Sequence, residues 1–271
     1  MHILIAAIGT SQVDIAIHLG ILIHQKTGGK LTLLSVIKNK KERAQAEATL
    51  SWAKTFLSTT VSEIQTCVRI GQPAAQILSE VETLNCDLLI MEVLIQHGLF
   101  QRILEPKTKR MFMQMPCPVL IARGEPKHLQ RVLVCDSGHS PSLLNRLIKR
   151  MPSLLQNVET LTVLHVMSQM AAKPGVPGWE LRADAQELIQ SHTPEGRLLE
   201  DDLIQLQQLN TNIEAKVRHG PVITEIIAEV NSGFYDLVVI GTHQVGGWEH
   251  FLLENLALDL VNQVNHPLLI V

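Results

Sequence analysis

"VRIGQPAAQILSEVETLNCDLLIM" at residues 68–91 is answered by "VRHGPVITEIIAEVNSGFYDLVVI" at 217–240. Val68/Val217, Arg69/Arg218, Gly71/Gly220, Ile77/Ile226, Glu80/Glu229, Val81/Val230, Asp87/Asp236 and Leu88/Leu237 coincide without a gap at a single offset of 149. The same offset carries Gly98 onto Gly247 and "PVLIA" at 118–122 onto "PLLIV" at 267–271. A coincidence sustained this far identifies two copies of one folding unit.

Upstream the copies align at a shorter offset. "ILIAAIGTS" (3–11) matches "VLVCDSGHS" (132–140), and "LTLLSV" (31–36) matches "LTVLHV" (161–166), at 129 and 130. The second copy therefore carries about 19 extra residues, and they fall within 168–196, a stretch dense in Pro and Gly that reads as an irregular excursion. Within it, "WELRADAQELIQ" (179–190) has helical character and is either a lid or an extension of the following helix. The domains are placed at 1–124 and 130–271.

Each copy alternates short apolar runs with helical patterns. Strands are expected near 2–8, 31–37, 63–70, 87–92 and 118–122, and near 131–136, 159–167, 212–219, 236–241 and 267–271. Helices are expected near 11–26, 40–58, 73–85 and 105–115, and near 140–155, 197–210, 221–232 and 252–264. Such alternation predicts an α/β fold with parallel strands, right-handed crossovers and helices on both faces. Strands buried on both sides explain why "DLLIM" and "DLVVI" are continuously apolar. Ligands in such sheets sit beyond the carboxyl ends of the strands, at the switch in strand order.

Composition narrows the function. A net charge of −3 and an aromatic fraction of 3% argue against a nucleic-acid partner. No apolar run approaches the roughly 18–20 residues that span a bilayer, so no membrane role is expected. The absence of a basic leader and of a C-x-x-C pair points to a cytoplasmic protein with reduced cysteines.

The motifs now on the page resemble the universal stress protein family, twice over. First strands "ILIAAIGTS" and "VLVCDSGHS", third-strand turns "VRIGQPAAQIL" and "VRHGPVITEII", the loop "DLVVIGTHQVGGWEHFLL" and the closing "MPCPVLIA" and "NHPLLIV" carry the likeness. It covers the chain except 168–196. The resemblance implies two doubly wound domains, each a five-stranded parallel sheet of order 3-2-1-4-5. It also implies edge strands paired across a pseudo-twofold, so that the halves imitate the family's dimer, with further homodimerisation open.

Nucleotide-binding members of that family carry Gly-x-x-Gly, nine residues, then Gly-Ser or Gly-Thr. Gly241 fits the first glycine; Gln244 replaces the second, and Glu254-Asn255 replace Gly-Ser. Gly246 and Gly247 remain as loop glycines. In the first half Glu92, Ile95, Glu105 and Pro106 stand at the corresponding positions. The acidic residue at the end of strand one is replaced by Ile8 in the first half; in the second, Ser137 aligns there with Asp136 one residue earlier. The resemblance thus gives Asp136, Ser137, His165, Gly241, Thr242, His243, Gly246, Gly247, Glu254 and Asn255 as the residues of a second-half ligand site.

Glu105 and Glu254 raise a physical difficulty for that site. A helix N-terminus offers unpaired amides, and a carboxylate can use the donors a phosphate would use. It would also repel a polyphosphate by about 1–4 kcal/mol per charge pair at close range. The first half is read as non-binding and structural, the second as an atypical pocket that can be vacant. The expected function is stress-response binding of a protein partner or small ligand, with no cofactor and no covalent chemistry. The alternative is ATP or AMP bound in the second half, with weak hydrolysis at most.

Other constellations carry less. The twelve histidines include no H-x-x-x-H helical pair and no Cys at ligand spacing, so no metal site is expected. "CDSGHS" (135–140) packs Asp136, Ser137 and His139 together, but neighbours at a strand end diverge, and the stretch reads as a polar turn into a helix capped by Ser140. Trp248, in the glycine loop, is read as a core or interface residue.

Overall fold

The structure is a computed structural model describing residues 1–8, 14–92, 115–137, 142–167, 177–209, 211–241, 257 and 259–271. The chain divides into two compact units, Met1–Pro126 and Lys127–Leu269.

In the first unit β1 (His2–Ile8), β2 (Lys30–Ile37), β3 (Ile64–Ile70), β4 (Leu88–Glu92) and β5 (Val119–Ala122) form a sheet of order β3-β2-β1-β4-β5. All its pairings are parallel, with Ile3 beside both Leu31 and Leu88. Helices α1 (Asp14–Thr27), α2 (Arg43–Leu57) and α3 (Pro73–Leu84) make the crossovers. Helix α2 buries Ala46, Leu50, Ala53 and Leu57, a single stripe at helical spacing. Pro73 opens α3, where its missing N–H costs nothing, and Asn85 closes it in the left-handed conformation.

The second unit repeats the order as β8-β7-β6-β9-β10, from β6 (Arg131–Cys135), β7 (Thr160–Met167), β8 (Asn212–His219), β9 (Leu237–Ile240) and β10 (Leu268–Ile270). Its helices are α4 (Leu143–Arg150), α5 (Ala185–Gln190), α6 (Pro194–Leu206) and α7 (Val222–Ser232), and 259–263 are also helical. Along β8, Lys216 and Arg218 reach Glu229 on α7, while Val217 between them packs under α5. Alternation along a strand therefore places helices on both faces.

The coincidences that revealed the repeat are fold-making contacts. Arg69 pairs with Glu80 at 2.8 Å, and Arg218 with Glu229 at 2.8 Å, each tying the third strand to the following helix. Asp87 accepts from the His2 amide at 2.7 Å; Asp236 accepts from Gln130 and Arg131 at 2.8 and 2.9 Å, each clamping the start of the unit's first strand. Gly71 and Gly220, at φ 144° and 150°, hold a conformation that favours glycine.

Three expectations change. The helix near 140–155 is the shorter α4, and its N-cap is Ser142, whose hydroxyl accepts the Asn145 amide; Ser140 lies outside the described residues. The helix near 197–210 begins at Pro194, capped by Thr193. The second part of 168–196 is ordered helix, because Asp184 and Glu187 form a reciprocal capping box that starts α5. Leu188 then buries against Met167, Ala183, Leu181 and Val217. Residues 168–176 and the helix near 105–115 lie outside the described residues, except for Met115.

Candidate functional site

Cys135 pairs with Leu164 on one side and Ile240 on the other. Asp136 and Gly241, the next residues of β6 and β9, therefore stand side by side just beyond those strands, and His165 lies beside Asp136 within β7, where it still pairs with Val217 of β8. That is the switch point of the second unit, since β6 leads one way to β7 and β9 the other way to β10.

Asp136 is 5% exposed. Its amide donates to the Leu164 carbonyl at 3.1 Å, continuing the ladder by one step, and His165 Nδ1 approaches its carbonyl at 3.2 Å. Its carboxylate Oδ2 accepts the Leu144 amide at 3.2 Å, in the first turn of α4. Ser137 is exposed. Three of the expected residues are thus adjacent, with Ser137 next along the chain. Thr242, His243, Gly246, Gly247, Glu254 and Asn255 lie outside the described residues, as do Trp248 and Glu105.

Two side chains that the sequence reading did not single out complete the described part of the site. Arg146, one turn into α4, lies over Gly241: a Cβ there would stand 2.6 Å from Arg146 Nη2. Its Nη1 donates to the Val271 carbonyl at 3.0 Å. Burial lowers the Arg146 pKa and Asp136 opposes that shift. Asp202 on α6 is also 5% exposed, and burial, then Asp136, raises its pKa to about 7, with Ser142 opposing. The signal for Asp202 lay in the repeat: at offset 149, Leu50, Ala53 and Leu57 fall on Leu199, Asp202 and Leu206. An acid thus stands in the buried stripe. Arg146 had no such signal.

The first unit differs at the same level. Glu92, at the position of Gly241, turns its carboxylate onto the start of α1, and Oε1 accepts the amides of Ile15 at 2.8 Å and Ala16 at 3.1 Å. Burial pushes the Glu92 pKa up, partly offset by those two bonds. Glu92 is legible in the sequence only as the replacement of the loop glycine; Glu105, expected to act as the anion, lies outside the described residues, and the approach of α1 that brings its amides onto Glu92 is not visible in a string of letters.

Among the described residues no three His, Cys, Asp or Glu side chains form a group that could hold a metal. None of the described helices is long and apolar enough to cross a membrane. Cys67, Cys86, Cys117 and Cys135 form no disulfide, and burial pushes the Cys86 thiol up to about 12.

The model of the Universal stress protein family matches residues 1–123 and again 128–271. A Pseudomonas aeruginosa structure assigned to universal stress proteins is 20% identical at a TM-score of 0.67, covering 100% of this chain and 92% of its own. A protein of unknown function from the same species gives 19% and 0.66, covering 99% and 92%. A universal stress protein from Archaeoglobus fulgidus gives 14% and 0.64, covering 98% and 95%. None of the curated proteins compared with the chain matches it.

Proposed function

Because the chain belongs to the universal stress protein family, with one family domain in each half, we propose that it is a stress-response binding protein that works by holding a partner or small ligand. The first unit is structural. The second carries an atypical nucleotide pocket. The observation that supports this reading is the Glu92 carboxylate on the Ile15 and Ala16 amides. A fixed negative charge there uses donors at the first switch point and repels a phosphate brought near it. No covalent step is assigned, and the site residues act by position and charge. A cytoplasmic location and self-association belong to the same reading.

A second reading has ATP or AMP bound in the second unit. What favours it is Gly241 at the end of β9 beside the Arg146 guanidinium, with the Asp136 carboxylate nearby on the first turn of α4. Titration calorimetry with ATP, ADP and AMP, with and without magnesium, tests both. The first reading expects no micromolar site. One micromolar site per chain moves the function to the second reading, and two overturn both. Glu254→Gly with Asn255→Ser is expected to raise affinity if Glu254 closes the pocket. A phosphate-release assay is expected to stay at the buffer rate.

A further inference from the structure

Helix α2 carries two apolar stripes where a surface helix needs one. Ala46, Leu50, Ala53 and Leu57 are buried. On the far side Ala44, Ala48, Trp52 and Phe56 follow one another at every fourth residue, and all are exposed, the two aromatics at 51% each. At about 100° per residue Ala48 lies opposite the buried stripe, with Ala44 and Trp52 to either side of it. Trp52 and Phe56 are stacked, their ring centroids 5.9 Å apart and their planes 19° from parallel, so they form one apolar ridge.

The repeat supplies a control. At offset 149, Ala48, Trp52 and Phe56 fall on Arg197, Asp201 and Gln205 of α6. The equivalent face of the second unit is polar, as a helix face turned to water is expected to be. The aromatic ridge is therefore a property of the first unit's helix and not a demand of the fold.

We propose that this face of α2 is where a second copy of the chain docks, its α2 laid antiparallel across a twofold axis at the level of Leu50. That arrangement sets Trp52 against the partner's Ala48 and Phe56 against the partner's Ala44, large on small, and the twofold repeats each contact in reverse. Charge fits the same register. Glu47 and Lys54 lie on one flank of the stripe, and antiparallel packing brings Glu47 level with the partner's Lys54 on that flank. Glu47 also holds Arg43 at 2.8 Å along its own helix. A parallel pairing would set Trp52 on Trp52 and Lys54 beside Lys54. Four half-exposed aromatics and four alanines cover on the order of 600–800 Å² in total, below the ~1,200 Å² at which stable specific interfaces begin. The dimer is accordingly a reversible one. This gives the self-association of the proposed function its surface, and rests on that part of it only.

The test is sedimentation equilibrium of the full chain from low micromolar to submillimolar concentration. A reversible dimer is expected, and Trp52→Glu and Phe56→Glu should each weaken it about thirtyfold or more. Glu47→Lys alone should weaken it severalfold at low salt, and adding Lys54→Glu should restore it. A chain that stays monomeric throughout overturns the inference together with self-association, and leaves the nucleotide readings to calorimetry. A dimer that survives Trp52→Glu and Phe56→Glu overturns the α2 face while self-association stands. Failure of the charge-reversed pair to restore the dimer overturns the antiparallel docking. A monomer that binds phosphatidylserine vesicles through Trp52 assigns the face to a membrane surface and overturns the dimer. If the aromatic variants do not fold, the wild-type series and the exposed charge reversal still decide.

Discussion

Glu229 is the most heavily used side chain in the second unit. Arg218 bonds it at 2.8 Å, Tyr235 at 2.6 Å and Lys216 at 3.0 Å. Burial alone would raise its pKa, but hydrogen bonds from Tyr235, Arg218 and Lys216 outweigh it and hold the carboxyl down at about 2. A depressed folded pKa contributes stability above the unfolded value, and that contribution is lost as pH falls through the folded value near 2. Glu229→Ala, which strands three partners, is expected to cost about 3 kcal/mol in urea unfolding. Arg69→Ala removes the more exposed half of the equivalent pair and is expected to cost about 1 kcal/mol or less. In the first unit Glu92→Gln keeps the side-chain oxygen and removes the charge. It is expected to cost about 0.5–1 kcal/mol at the start of α1, read from faster exchange of the Ile15 and Ala16 amides. The repeat displayed Glu229, Arg218, Asp236 and Gly220 as matched letters, because two copies under the same geometric demand keep the same solution. Glu92 and Asp202 are where the copies differ, and what they touch depends on approach angles that pattern does not encode.

At the scale of elements, the pair α5 and α6 distinguishes the second unit. They pack so closely that a Cβ on Gly196 would collide with the Leu188 carbonyl. Gly196→Ala therefore forces a backbone shift and is expected to cost about 2 kcal/mol or more, seen as a lower thermal midpoint. Leu188→Ala removes the centre of the cluster with Met167 and Val217 and is expected to cost about 2–5 kcal/mol. Strand positions were legible to within a residue or two in most cases, since an apolar run between polar turns has few other readings in an α/β chain. Helices were legible where one stripe was apolar, as in α2 and α3. Of the α5–α6 pair, the helical character of 179–190 and the helix near 197–210 were legible, but the start of α6 was placed late because Pro194 and Gly196 look like loop. Pro194 stands at a helix start instead, and Gly196 allows a close crossing.

At the scale of the molecule, one chain holds two copies of the universal stress protein fold with different charges at the switch point. The first presents Glu92; the second presents Asp136 on the first turn of α4 and Arg146 over Gly241. In the second unit, raising pH from the ordinary carboxylate range through about 7, the raised folded value of Asp202, is expected to lower the unfolding midpoint, with no further loss above it, followed by a probe placed in that unit. Fold and repeat were readable from the sequence because the same polar contacts recur at a fixed offset. The candidate site was readable only in part: Asp136, His165 and Gly241 followed from the family resemblance, and the Arg146 guanidinium packed over Gly241 did not. The central claim is that Glu92 holds the first switch point in place of a ligand. Its most direct test is the amide spectrum of the full chain during titration with magnesium ATP. The account predicts that the Ile15 and Ala16 signals stay in place up to millimolar nucleotide; saturable shifts of both in the micromolar range would contradict it.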